Sequence, residues 1–97
     1  MALEKPSVIW SAEAIADLKS IYYYLLKRNS PETALRIRNE IFRAPHSIIF
    51  AEQFQIDDIY NKYRRIIIRN YKILYTVDKT TLNIVTILNS HNANPGL

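Results

Sequence analysis

The sequence of 97 residues contains no cysteine and a single glycine, Gly96. Without cysteine, the chain cannot form disulfides, thiolate zinc sites or a cysteine nucleophile. Without glycines in its body, it cannot contain a Walker loop or a dinucleotide-binding fingerprint. Its two histidines, His46 and His91, stand far apart and form no ligand motif. We therefore expect no metal site and no cofactor.

The sequence also lacks an apolar run long enough to span a bilayer. Its first residues include Glu4 and Lys5 where a signal peptide would be apolar. Because the absence of cysteine suits a reducing compartment, we expect a cytoplasmic protein. The length favours one domain over residues 1–97.

The charge is unbalanced, with 13 Lys+Arg against nine Asp+Glu, a net charge of +4. This excess suits an acidic partner, either nucleic acid or an acidic protein segment. An ordinary solvated basic surface is the alternative explanation.

The first half of the chain has the pattern of two helices. Ser11 is a good N-cap for a helical pattern over residues 12–27. Ser30 and Pro31 have the N-cap and first-turn chemistry of a second helix, which Pro45 ends. Because only a few residues join the helices, we expect an antiparallel helical hairpin.

The second half of the chain changes to the period of β-strands. Residues 45–62 are irregular, and the alternation then predicts strands at Tyr63–Arg69, Tyr71–Val77 and Leu82–Leu88. Their short connections favour an antiparallel meander. With a β-prone run at Ser7–Trp10, the order is β-α-α-β-β-β. This order predicts an α+β domain in which the helical hairpin covers one face of an antiparallel sheet.

Three segments within this order match a known family. They are Ile9-Trp10-Ser11 with Ala14, Asp17-Leu18, Ile21 and Tyr24; Tyr63-Arg64-Arg65-Ile66 followed by Asn70-Tyr71-Lys72-Ile73-Leu74-Tyr75; and Asn94-Pro95 after the last strand. In order, spacing and length, the chain from Val8 to Leu97 resembles the RelE/ParE superfamily of bacterial type II toxin–antitoxin toxins.

The resemblance implies the same fold and a protein partner. Such toxins are neutralised by a small antitoxin whose C-terminal segment wraps the toxin and folds on binding. A toxin of net charge +4 suits an acidic segment through Arg–carboxylate pairs. RelE-like members cut mRNA on the ribosome, whereas ParE-like members poison DNA gyrase.

The ribonuclease hypothesis needs groups that move protons and stabilise a charged phosphate. One face of the first meander strand carries Arg64, and the other carries Arg65 and Arg69, so only the second face holds two cations. The similarity to RelE-like enzymes implies a tentative catalytic set of Arg65, Arg69, Lys72 and His91.

In the binding hypothesis, much of the same basic surface contacts an antitoxin or a protein target. No tyrosine follows Tyr75, so a tail tyrosine acid is missing, and the long helical hairpin resembles ParE-like members. We therefore favour a ParE-like toxin that binds a target such as DNA gyrase, without enzymatic activity. The alternatives are a ribosome-dependent mRNA endoribonuclease and a non-toxic antitoxin-binding module. The predicted binding set is Arg64, Arg65, Arg69, Tyr71 and Lys72.

Overall fold

A computed structural model describes residues 6–48 and 53–89 of the chain. The described elements follow the predicted order β-α-α-β-β-β, which confirms the α+β fold. They are β1 (Ser7–Trp10), α1 (Ala12–Arg28), α2 (Pro31–Arg43), a short 3₁₀ helix (Ala44–Ser47), β2 (Arg64–Ile68), β3 (Tyr71–Asp78) and β4 (Thr81–Asn89).

The four strands form one sheet in the order β1-β4-β3-β2. The last three strands form the predicted antiparallel meander. β1 pairs with β4 in parallel, from Ser7 opposite Thr81 to Trp10 opposite Ile84, so the complete sheet is mixed. A parallel pair needs a long connection, and the helical hairpin and the meander together supply it.

The hydrophobic core lies between the helical hairpin and one face of the sheet. Core side chains recur at spacings of three and four along both helices, as the sequence predicts, and alternate along the strands. The core includes Ala14, Leu18, Leu25, Ala34, Ile37, Ile41, Ile66, Ile73, Tyr75, Leu82, Ile84 and Ile87.

Both predicted helix caps are present. The Ser11 hydroxyl accepts a hydrogen bond from the Ala14 N–H (2.9 Å) and donates one to the Val85 carbonyl of β4 (2.8 Å). The Ser30 hydroxyl accepts from the Thr33 N–H at 3.2 Å. Ser11 therefore starts α1 and also fastens it to the sheet.

A β-bulge between β3 and β4 gives α1 a second attachment. Leu74 pairs with Thr86, whereas the next residue of β3 pairs with Ile84, so one residue of β4 has no partner opposite it. Asp17 of α1 accepts from the Thr86 hydroxyl (2.6 Å) and from the Ile87 N–H (3.0 Å). The helix carboxylate thus binds polar groups that border the bulge.

We predict that Ser11→Ala lowers the free energy of unfolding by about 1–2 kcal/mol, because the cap and the bond to β4 are both lost. Ser20→Ala is the matched control, since Ser20 is an exposed residue within α1. Its effect should stay within about 0.5 kcal/mol. Urea unfolding followed by circular dichroism measures both variants, and equal losses would contradict the double role of Ser11.

Candidate functional site

The strand alternation decides which cations share the face of the sheet opposite the helices, here called the open face. On β2, Ile66 is 4% exposed and faces the helices, whereas Ile67 is 54% exposed and points the other way. Arg65 therefore belongs to the open face, with Lys72 of β3 beside it. In register, Arg65 lies opposite Leu74 and Ile67 lies opposite Lys72.

A buried carboxylate, Asp57, joins these two cations. One carboxylate oxygen, Oδ1, accepts from Lys72 Nζ at 2.7 Å and lies 3.3 Å from Arg65 Nη1. The other, Oδ2, accepts from the N–H groups of Ile59 (3.0 Å) and Tyr60 (2.7 Å). The Asp57 side chain is 0% exposed. Asp57, Arg65 and Lys72 are called the Asp57 cluster below.

The segment 53–63 carries Asp57 and is tied to the edge of β2. The Arg64 guanidinium donates to the Phe54 carbonyl at 2.7 Å. The backbone N–H of Arg65 donates to the Gln55 carbonyl at 3.0 Å. Arg64, one of the predicted binding residues, is therefore engaged in holding this segment against the sheet.

The hydrogen bonds to Asp57 favour its ionised carboxylate and lower its pKa. Burial alone would raise this pKa, but hydrogen bonds from Lys72, from the Tyr60 and Ile59 N–H groups and from Arg65 lower it from 3.8 to about 2. The hydrogen bond to Asp57 in turn raises the pKa of Arg65. At neutral pH the Asp57 cluster therefore consists of an ionised carboxylate and the cations bound to it.

Arg69 does not join Arg65 on the open face. Its φ of 52° places it in the left-handed region at the turn after β2, where the strand alternation ends. Its guanidinium makes two hydrogen bonds, of 2.8 and 2.9 Å, to Glu40 of α2. These bonds lower the pKa of Glu40 and raise that of Arg69. The cationic row predicted from the sequence is thus interrupted at the turn.

Tyr71 is also separated from the Asp57 cluster, because it is buried on the helix side of the sheet. Burial raises its pKa, with a smaller contribution from Tyr24. The two tyrosines share a groove of about 340 Å³ between α1 and the meander. His91, the remaining tentative catalytic residue, lies outside the described residues.

A second surface lies on the outer side of the helical hairpin, away from the sheet. Ile15 of α1 is 45% exposed and Leu35 of α2 is 48% exposed. They line a groove of about 320 Å³ that Lys19 and Arg38 also border. This groove was not predicted from the sequence. Both helices carry apolar residues next to the positions that face the core, and these additional apolar residues could have indicated the groove.

The described residues contain no group of three or more His, Asp or Glu side chains placed to hold a metal ion. Neither described helix has the length and apolarity that crossing a bilayer requires. The described part is a small α+β domain with exposed grooves and internally paired charges.

Comparison with known proteins identifies the family. The family model of the ParE toxin of the type II toxin–antitoxin system parDE matches residues 8–93. The chain therefore belongs to the ParE toxin family, and the resemblance found in the sequence is confirmed.

A solved structure shares the fold. It is a chain of the chromosomal ParDE toxin–antitoxin system from P. aeruginosa, with a TM-score of 0.75 and 19% sequence identity. The match covers 87% of this chain and 95% of that one. The search of curated proteins found no match.

The lowered pKa of Asp57 predicts a loss of stability in acid. Because the folded-state pKa (about 2) lies below the ordinary 3.8, the stabilisation is complete above about pH 4 and is lost as the pH falls toward 2. The shift corresponds to about 2 kcal/mol. Urea unfolding should show this contribution in the wild type, whereas Asp57→Asn should have a correspondingly weaker pH dependence between pH 5 and 2. Parallel pH profiles would contradict the prediction.

Proposed function

We propose that this ParE-family chain inhibits growth by binding a protein target, with DNA gyrase as the first candidate, and that a cognate antitoxin neutralises it. The observation that carries the proposal is the internal pairing of the cations that RNA cleavage would use. Lys72 and Arg65 bind Asp57, and Arg69 binds Glu40.

This pairing disfavours the ribonuclease alternative. Cleavage of RNA through the 2′-hydroxyl requires groups that exchange protons and cations that approach the phosphate. Lys72 is buried and already donates to Asp57 at 2.7 Å. A phosphate approaching Lys72 and Arg65 would meet a carboxylate already bound there, and repulsion between the two anions opposes its binding.

The outer groove of the helical hairpin supports antitoxin binding. An amphipathic helix that places its apolar residues against Ile15 and Leu35 would bring its flanks to Lys19 and Arg38. Acidic residues on those flanks would form charge-assisted hydrogen bonds with the two cations. This chemistry fits an antitoxin segment that is acidic and folds on binding. Cytoplasmic localisation belongs to the same proposal, since gyrase and ribosomes are found there.

We predict that Leu35→Glu weakens antitoxin binding at least about tenfold, or about 1.4 kcal/mol, because it places a carboxylate in the apolar part of the groove. The partner to test is the cognate antitoxin, which we expect to be a small protein encoded beside this chain. Ile67→Glu is the matched control, since Ile67 is an exposed apolar residue on the open face. Titration calorimetry measures both variants, and equal weakening would contradict binding in the groove.

The target is tested with purified protein in two assays. The proposal predicts inhibition of DNA supercoiling by gyrase and intact mRNA on translating ribosomes. Cleavage of mRNA in the ribosomal A site would overturn it, and a large loss of that cleavage in a folded His91→Ala variant would support the endoribonuclease alternative. Normal growth of cells that express the chain without the antitoxin would exclude both toxic functions, and the non-toxic antitoxin-binding module would be the remaining alternative.

A further inference from the structure

We propose that Asp57 is a specificity-determining residue that neutralises the open face and keeps this basic protein from binding single-stranded RNA there. The inference rests on the proposed function, in which the target is a protein. It concerns the Asp57 cluster and the surface around it.

The charges of the open face cancel although the chain is basic. Arg65 and Lys72 contribute two positive charges, and Asp57 contributes one negative charge. Asp58 supplies the second, with its carboxylate 3.4 Å from Arg65. The net charge of +4 therefore arises elsewhere in the chain. The exposed cations of the helices include Lys19, Lys27, Arg28, Arg36 and Arg43.

The two aspartates differ in how firmly they are held. Asp57 is fully buried, and both of its oxygens bind two donors each, so a phosphate cannot displace it without breaking four interactions. The Asp58 side chain is 87% exposed and makes one contact, with Arg65. A competing phosphate could therefore displace Asp58 from Arg65, whereas Asp57 would continue to neutralise the cations of the open face.

The surroundings of the Asp57 cluster have the chemistry of a nucleotide site. Ile67 is exposed beside Arg65, and both line a groove of about 380 Å³ together with Phe54. Nucleic acid sites of low sequence specificity combine cations for the phosphates with apolar or aromatic surfaces for the bases. Lys72 does not line this groove, so Arg65 is its cation. Without the charge of Asp57, the exposed Asp58 alone would neutralise Arg65, and the groove would present Arg65 to a phosphate.

The test compares Asp57→Asn with Asp58→Asn, because each variant adds one positive charge. The probe is a short fluorescent single-stranded RNA, titrated with the full chain in a salt series. Asp57→Asn should bind about tenfold more tightly at low salt and should steepen the slope of log K against log salt by about 0.7, the value for one phosphate contacted by Arg65. Asp58→Asn should leave the slope unchanged, and Asp57→Asn with Arg65→Met should lose the added slope.

Equal gains for the two aspartate variants would overturn the proposal, because net charge alone would then explain them. RNA binding by the wild type that is lost in Arg65→Ala would also overturn it. Should Asp57→Asn fail to fold by circular dichroism, the salt slope of the single variant Arg65→Met is compared with that of the wild type. A salt slope equal to that of the wild type supports the neutralisation, and a slope lower by about 0.7 overturns it.

These measurements use neither gyrase nor ribosomes. A failed prediction here leaves the proposed binding of gyrase standing. Cleavage of mRNA by the wild-type protein would overturn the proposed function, whereas the comparison of the aspartate variants would still report whether Asp57 neutralises the open face.

Discussion

The interaction on which the open face of this protein depends is the buried contact between Asp57 and Lys72. Two cations on neighbouring strands, Lys72 and Arg65, would repel each other if nothing neutralised them, and the hydration that Lys72 loses on burial would not be offset. Asp57 accepts from both and from two backbone N–H groups, so the buried carboxylate is fully hydrogen-bonded. The same contact fastens the segment 53–63 over the meander.

Because Asp57 pairs with the cations of the open face, the surfaces of the domain differ in charge and polarity. One face of the sheet is covered by the helical hairpin, and the opposite face has its cations paired with carboxylates. Unpaired apolar surface lies instead on the outer side of the hairpin, at Ile15 and Leu35, with Lys19 and Arg38 at its borders. In this member of the ParE family, an apolar groove and exposed positive charge therefore occur together on the helices.

Local features of this fold could be predicted from the sequence, whereas contacts between distant residues could not. Ser11 and Ser30 mark helix starts through hydrogen bonds within one turn, so their roles are visible in the sequence. Period-two alternation separates Arg64 from Arg65 but does not tell which face the helices cover. Arg69 leaves the row because the turn gives it a positive φ. Asp57 lies in the irregular stretch of residues 45–62. Because that stretch has neither a helical nor a strand period, the sequence could not predict which residues Asp57 contacts.

Within the folded protein, Asp57 holds Lys72 in a buried ion pair of 2.7 Å. The most direct measurement is nitrogen-15 NMR of the lysine side chains, which reports how fast each ammonium group exchanges its protons with water. We predict that the Lys72 side chain exchanges its protons far more slowly than the exposed lysines do, and that its signal shifts as Asp57 is protonated near pH 2. Rapid exchange equal to that of the exposed lysines, with no response to acid, would contradict it.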